Sequence, residues 1–99
     1  MSAATLTKVS ETELAISGDL MMHTVMQLLK EVNGYFKPEQ SLSIDFSKIG
    51  NSDSSALALI VTWLANAKKQ NITIHLNNLP QQILDIAQAS DLLDILPID

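Results

Sequence analysis

One segment limits the folds open to this chain more than any other. From Ser54 to Lys69 apolar side chains recur on nearly every side of a would-be helix, and Asn51-Ser52-Asp53-Ser54-Ser55, all small and polar, stand directly before it. Small polar residues at that place satisfy the free amide protons of a helix start, and simple capping accounts for them by itself. Capping does not account for the helix they open. Leu57, Ile60, Val61, Leu64 and Ala67 form an inward stripe at three-and-four spacing, whereas Leu59 and Trp63 lie about 100° or more away from it, beside Thr62 and Asn66. A helix that is apolar all round is either sandwiched in a core or presents its second face to a partner. In 99 residues an outer layer has little chain left to cover it. The reading adopted is therefore a protein-binding face: Leu59, Thr62, Trp63 and Asn66 at its centre, Trp63 the anchor, and Asp53, Ser54 and Ser55 its rim. Met22, Met26 and Leu29 of an earlier helix extend the patch, methionine being suited to adaptable contact.

The flanking segments supply the rest of the architecture. Leu6, Val9, Leu14 and Ile16 alternate with polar residues in two short strands joined by a turn at Ser10-Glu11-Thr12, and Gly18-Asp19 ends the second. Val25, Leu28, Leu29, Val32 and Phe36 predict a helix from about His23 to Phe36, stopped by Gly34 and Pro38. Ser41 to Phe46 alternates strictly and reads as a strand, and Ser47 to Ser52 reads as a polar connector. After the long helix come a strand from Ile72 to Leu76, a helix opened by Pro80 and carried by Ile83, Leu84, Ile86 and Ala87, and an apolar tail from Leu92 to Leu96. The order β-β-α-β-α-β-α is too helix-rich for a sandwich and too interleaved for a bundle, so an α/β fold with a mixed sheet covered by helices is expected, as one domain over residues 1–99.

Composition narrows the function. Hydrophobic residues at 46% and charged residues at 17% are not those of a disordered chain. The formal charge is −5 and all six bases are lysine, which argues against a nucleic-acid footprint and against docking on anionic lipid. The chain has no cysteine, hence no disulfide, thiolate nucleophile or Cys-based metal site. Its first residues lack the pattern of a signal peptide, and the apolar run Ala56 to Ala65 is far short of the ~20 residues that span a bilayer. A cytoplasmic domain without membrane insertion is the expectation.

Catalytic machinery is sparse. Gly18, Gly34 and Gly50 lie sixteen residues apart, so neither a phosphate loop nor a dinucleotide fingerprint exists, and any ATP chemistry must come from a partner. His23 and His75 stand 52 residues apart without further metal ligands. Asp85, Asp91 and Asp94 fall on the polar side of the last helices, and Lys68-Lys69 complement the negative end of a helix dipole. No catalytic residue, metal or cofactor is assigned.

Gly18-Asp19-Leu20, Leu42-Ser43-Ile44-Asp45-Phe46-Ser47, Asp53-Ser54-Ser55-Ala56-Leu57-Ala58-Leu59 and the closing Leu96-Pro97 resemble a STAS domain over nearly the whole chain. Leu57-Ala58-Leu59-Ile60, Trp63-Leu64, Ala67-Lys68 and Asn78-Leu79-Pro80-Gln81-Gln82-Ile83 are similar to the branch that serves bacterial phospholipid ABC transporters. The resemblance implies a SpoIIAA-like fold of four to five strands and about four helices. It also implies a non-enzymatic subunit that binds the transporter's ATPase subunit, in a complex with a permease, and supports its assembly and activity. The other STAS reading is an anti-anti-sigma factor, in which the serine matching Ser54 is phosphorylated and partner binding is switched off. Met21 and Ala56 depart from that second pattern, which often has an acid and a glycine there. A carrier of a small apolar ligand is a third class, which a lipid retained on the purified protein would reveal.

Overall fold

The computed structural model describes residues 4–98; Met1-Ser2-Ala3, the start of the segment searched for a signal peptide, lies outside the described residues. The chain runs β1 (Thr5–Ser10), β2 (Glu13–Leu20), α1 (Met22–Asn33), β3 (Ser41–Ser52), α2 (Ser54–Lys69), β4 (Thr73–Asn77), α3 (Gln81–Ala89) and a 3-10 turn, η1 (Leu93–Ile95). The sheet order is β1-β2-β3-β4, with β1 antiparallel to β2 and the remaining pairs parallel.

The period-two pattern sets which face of this sheet is buried. Leu14, Ile16 and Leu20 of β2, Leu42, Ile44 and Phe46 of β3, and Ile74 and Leu76 of β4 are buried. The intervening Ala15, Ser17, Ser43, Asp45 and His75 are half-buried on the opposite face. β2-α1-β3 and β3-α2-β4 step across the sheet in one direction. Right-handed crossovers therefore lay both helices on the same face. The tail makes a third step: Leu76 donates its N–H to the Pro97 carbonyl (2.8 Å) and pairs in parallel with Ile98. α2 is thus the middle helix of a one-sided layer, packed against α1 and against α3.

That position overturns the surplus-face reading. Trp63 is fully buried and Leu59 only 4% exposed. Trp63 shares a stripe with Ala56, Ile60 and Ala67, spaced by fours and threes, and all four are buried. The stripe expected through Leu57, Val61 and Leu64 is displaced around the helix, leaving Val61 and Leu64 half-buried. Cover comes from the neighbouring helices at the sides rather than from an outer layer, so an all-round apolar helix needs no partner to explain it.

Three boundaries also differ from expectation. The polar stretch Ser47 to Ser52 is the second half of β3, since Lys48, Ile49 and Ser52 pair in parallel with Ser17, Gly18 and Leu20 across two register shifts. Its open-face polar side chains weaken the alternation signal without weakening the ladder. Gly50 permits the close approach this needs: a Cβ there would stand 2.5 Å from Asp19 Oδ1, the atom that accepts the Asn51 N–H at 2.9 Å. β2 continues past Gly18-Asp19 to Leu20, and α1 spans Met22–Asn33 instead of reaching Phe36.

On the open face, Asp45 at the β3 centre accepts hydrogen bonds from Asn78 Nδ2 (2.9 Å), Ser47 Oγ (2.9 Å) and Ser47 N (3.0 Å). The Asn78 bond, reinforced by those of Ser47 and by Lys48 and opposed by partial burial, holds this carboxyl below the ordinary aspartate range. A depressed carboxyl adds stability that is present above its unfolded pKa and lost as pH falls through the folded one. Asn78→Gly, which suits the positive φ of 59° there, should raise the Asp45 midpoint and narrow that acid-side loss. An NMR titration of the Asp45 carboxyl carbon that leaves the midpoint in place would refute this assignment.

Candidate functional site

Asp53 joins two helix starts. It adopts an extended backbone at the N-cap of α2, and its Oδ1 accepts the Ser55 N–H at 2.8 Å. Its Oδ2 accepts the Met22 N–H at 3.3 Å, so one carboxylate caps both α2 and α1. At the α1 start Thr24 Oγ1 accepts the Met21 N–H (3.0 Å) and donates to the Asp19 carbonyl (2.8 Å). Ser52, the one buried polar residue among those described, sends both its N–H and its hydroxyl to Gln82 Oε1 at 3.2 Å, tying the end of β3 to α3.

With their starts pinned together, α1 and α2 leave an apolar groove of about 250 Å³ between them. Met22, Val25, Met26 and Leu29 line it from α1, and Ser55, Ala58, Leu59 and Thr62 from α2. Leu59 and Val25 are buried, while Met22 and Met26 stand 76% and 62% exposed at the lips. No lining residue is charged. Flexible, polarizable methionines at the lips of an apolar groove can mould to an incoming side chain.

The residues expected at the site divide between three places. Ser55, Leu59 and Thr62 line the groove, Asp53 fixes its upper end, and Ser54, the first residue of α2, is exposed beside it. Thr62 spends its hydroxyl proton on the Ala58 carbonyl (2.8 Å). Asn66 is half-buried and donates from Nδ2 to Asn33 Oδ1 at 3.4 Å, bracing α2 against the end of α1. Trp63 is absent from this surface. Val25 and Ala58 carry no such signal in the sequence: valine in an inward stripe signals core, and a lone alanine signals nothing until the facing helix is known.

Asp85 accepts from Gln81 Nε2 (2.8 Å) along exposed α3, and Asp91 and Asp94 are exposed. Among the described residues no group of three or more His, Cys, Asp or Glu side chains is placed to hold a metal ion. No helix among them is long and apolar enough to cross a membrane.

Comparison with known proteins places this geometry. A family model described as "Mlab, STAS domain" matches residues 4–97. No curated protein matches. Among solved structures, the unphosphorylated anti-sigma factor antagonist SpoIIAA superposes with a TM-score of 0.72 at 18% identity, over 98% of this chain and 88% of that one. An anti-sigma factor antagonist from Mycobacterium paratuberculosis superposes with a TM-score of 0.77 at 15% identity, over 99% and 85%. At such identities the likeness is one of fold.

Proposed function

This chain belongs to the STAS domain family, and from that membership we propose that it is a non-enzymatic regulatory subunit of an Mla-type phospholipid ABC transporter, docking on the cytoplasmic ATPase subunit through the groove between α1 and α2. The observation that carries the reading is the groove itself: an uncharged apolar trough with two exposed methionines, set directly beside the Asp53-Ser54-Ser55 corner. The match to the Mlab family model supports the transporter branch. On this reading nucleotide hydrolysis, lipid handling and membrane anchoring belong to the other subunits, and the domain stays at the inner face of the membrane by holding the ATPase. Its effect on activity comes from binding one conformation of that subunit better than another.

Titration of the purified ATPase subunit into wild-type protein and Ser54→Asp tests the docking edge. An acid at the first position of α2 suits the helix dipole, so the fold should hold. The added charge, next to Asp53, must be desolvated or repelled on docking, and affinity should fall by roughly tenfold. Wild-type affinity in Ser54→Asp would leave Ser54 outside the contact.

A second reading has one observation in its favour. The Ser54 side chain is exposed at a helix start, where a kinase can reach its hydroxyl, and SpoIIAA and the mycobacterial neighbour are both anti-sigma factor antagonists. On that reading the chain is an anti-anti-sigma factor whose partner binding is switched by Ser54 phosphorylation. Capture of a serine kinase in place of the ATPase subunit, with phosphate incorporated at Ser54, would decide for it.

A further inference from the structure

The chain has four methionines, Met1, Met21, Met22 and Met26, and no cysteine. Met1 lies outside the described residues, and Met21 is half-buried. Met22 and Met26, 76% and 62% exposed, stand one turn apart on the face of α1 that lines the groove against α2. With no thiol to react first, their thioethers are the sulfur groups most open to a dissolved oxidant. The Trp63 indole is fully buried.

We infer that Met22 and Met26 form an oxidative modification site that switches the groove off. Each sulfur takes one oxygen atom from a peroxide or from hypochlorous acid. An S–O bond forms, the O–O or O–Cl bond breaks, and the sulfur gives up two electrons. The oxidant leaves as water or alcohol, or as chloride and a proton. A flexible apolar side chain thereby becomes a polar, chiral sulfoxide.

In the free protein both positions are exposed, so the new oxygen stays hydrated and the fold is kept. Under a docked partner it gives up that water, and the groove answers it poorly. No lining residue is charged, and Thr62 has committed its hydroxyl proton to the Ala58 carbonyl at 2.8 Å. Thiol-dependent methionine sulfoxide reductases return the thioether, which makes the switch reversible. The effect on docking rests on the groove being the ATPase-binding surface; the preferential oxidation of Met22 and Met26 does not.

The full chain is treated with hydrogen peroxide, peptide mass spectrometry follows the gain of oxygen at each methionine, and the purified ATPase subunit is titrated before treatment and after removal of the peroxide. Met22 and Met26 should oxidise severalfold faster than Met21, and more slowly when the ATPase subunit is bound. Circular dichroism should be unchanged, while affinity should fall by roughly tenfold or more and return after incubation with the reductases. Met22→Leu combined with Met26→Leu, compared only with itself before and after peroxide, should show no such fall. Oxidation of Met21 as fast as Met22 and Met26 overturns the site. Affinity that survives complete oxidation, an equal fall in the leucine variant, or unfolding on oxidation overturns the switch and leaves the docking proposal standing. Untreated protein that does not bind the ATPase subunit overturns the docking proposal and the switch with it.

Discussion

Trp63→Ala should cost about 3–5 kcal/mol of folding stability, the range for emptying a large aromatic site in a packed core. A domain of this kind has a total of about 5–15 kcal/mol to lose, so the variant should be largely unfolded or melt far below wild type. The indole is fully buried in the middle helix of the layer, on the same stripe as Ala56, Ile60 and Ala67, and those neighbours are held by the sheet below and by helices at both sides. Collapse into the vacated volume is therefore limited, which puts the cost at the high end of the range. Its Nε1 finds no hydrogen-bond partner among the described residues. That donor is a liability to the fold. Trp63→Phe, which keeps most of the apolar volume and removes the stranded N–H, should accordingly cost less than about 1.5 kcal/mol. Urea unfolding followed by circular dichroism separates the two substitutions. An alanine variant with wild-type stability and lost partner binding would put the indole back on the surface.

Local signals carry much of this fold. The start of α2 is legible because Asp53 caps it through Ser55, and its end because Lys68, Lys69 and Gln70 follow the last apolar position. β1 and β2 follow from alternation, and the helix opened by Pro80 from the fixed φ of proline. Three features require the tertiary arrangement. The second half of β3 is polar because its open face meets no helix, and its strand character comes from pairing with β2. The stripe of α2 is ambiguous in sequence because apolar residues cover more than half of the helix, so two different faces satisfy the same spacing. Whether the surplus faces a partner or a neighbouring helix depends on all crossovers falling on one side of the sheet, which periodicity within one segment does not encode.

The site divides in the same way. Asp53, Ser54 and Ser55 are legible as a helix start, but the bond from Met22 N–H to Asp53 Oδ2 spans 31 residues of sequence and has no local signature. That bond gives the corner its second role, fixing the distance between the helices that wall the groove. By sequence, Met22 and Met26 only extend a patch centred on Trp63. With Trp63 in the core, they become the centre, and the docking reading rests on α1 as much as on α2.

The largest effect on docking is therefore expected from α1. Met26→Glu should abolish measurable binding to the ATPase subunit while leaving the fold unchanged. The side chain is 62% exposed, and a surface substitution of this kind ordinarily shifts stability by no more than about 0.5 kcal/mol. On the docking proposal the partner closes this position into the trough that Met26 lines together with Leu59 and Val25, where no lining residue is charged. A carboxylate closed in there has no cation to pair with and gives up its water, a penalty of about 2–4 kcal/mol, or roughly thirtyfold to a thousandfold in affinity. Met26→Leu keeps apolar area at a similar volume and should bind within a few-fold of wild type. Calorimetric titration of the ATPase subunit distinguishes the outcomes: if Met26→Glu binds like wild type while circular dichroism shows it folded, the groove is not the docking surface and the transporter reading keeps only its family likeness. If Met26→Leu fails as badly as Met26→Glu, the thioether itself is recognised, and burial of an uncharged side chain is not what the partner requires.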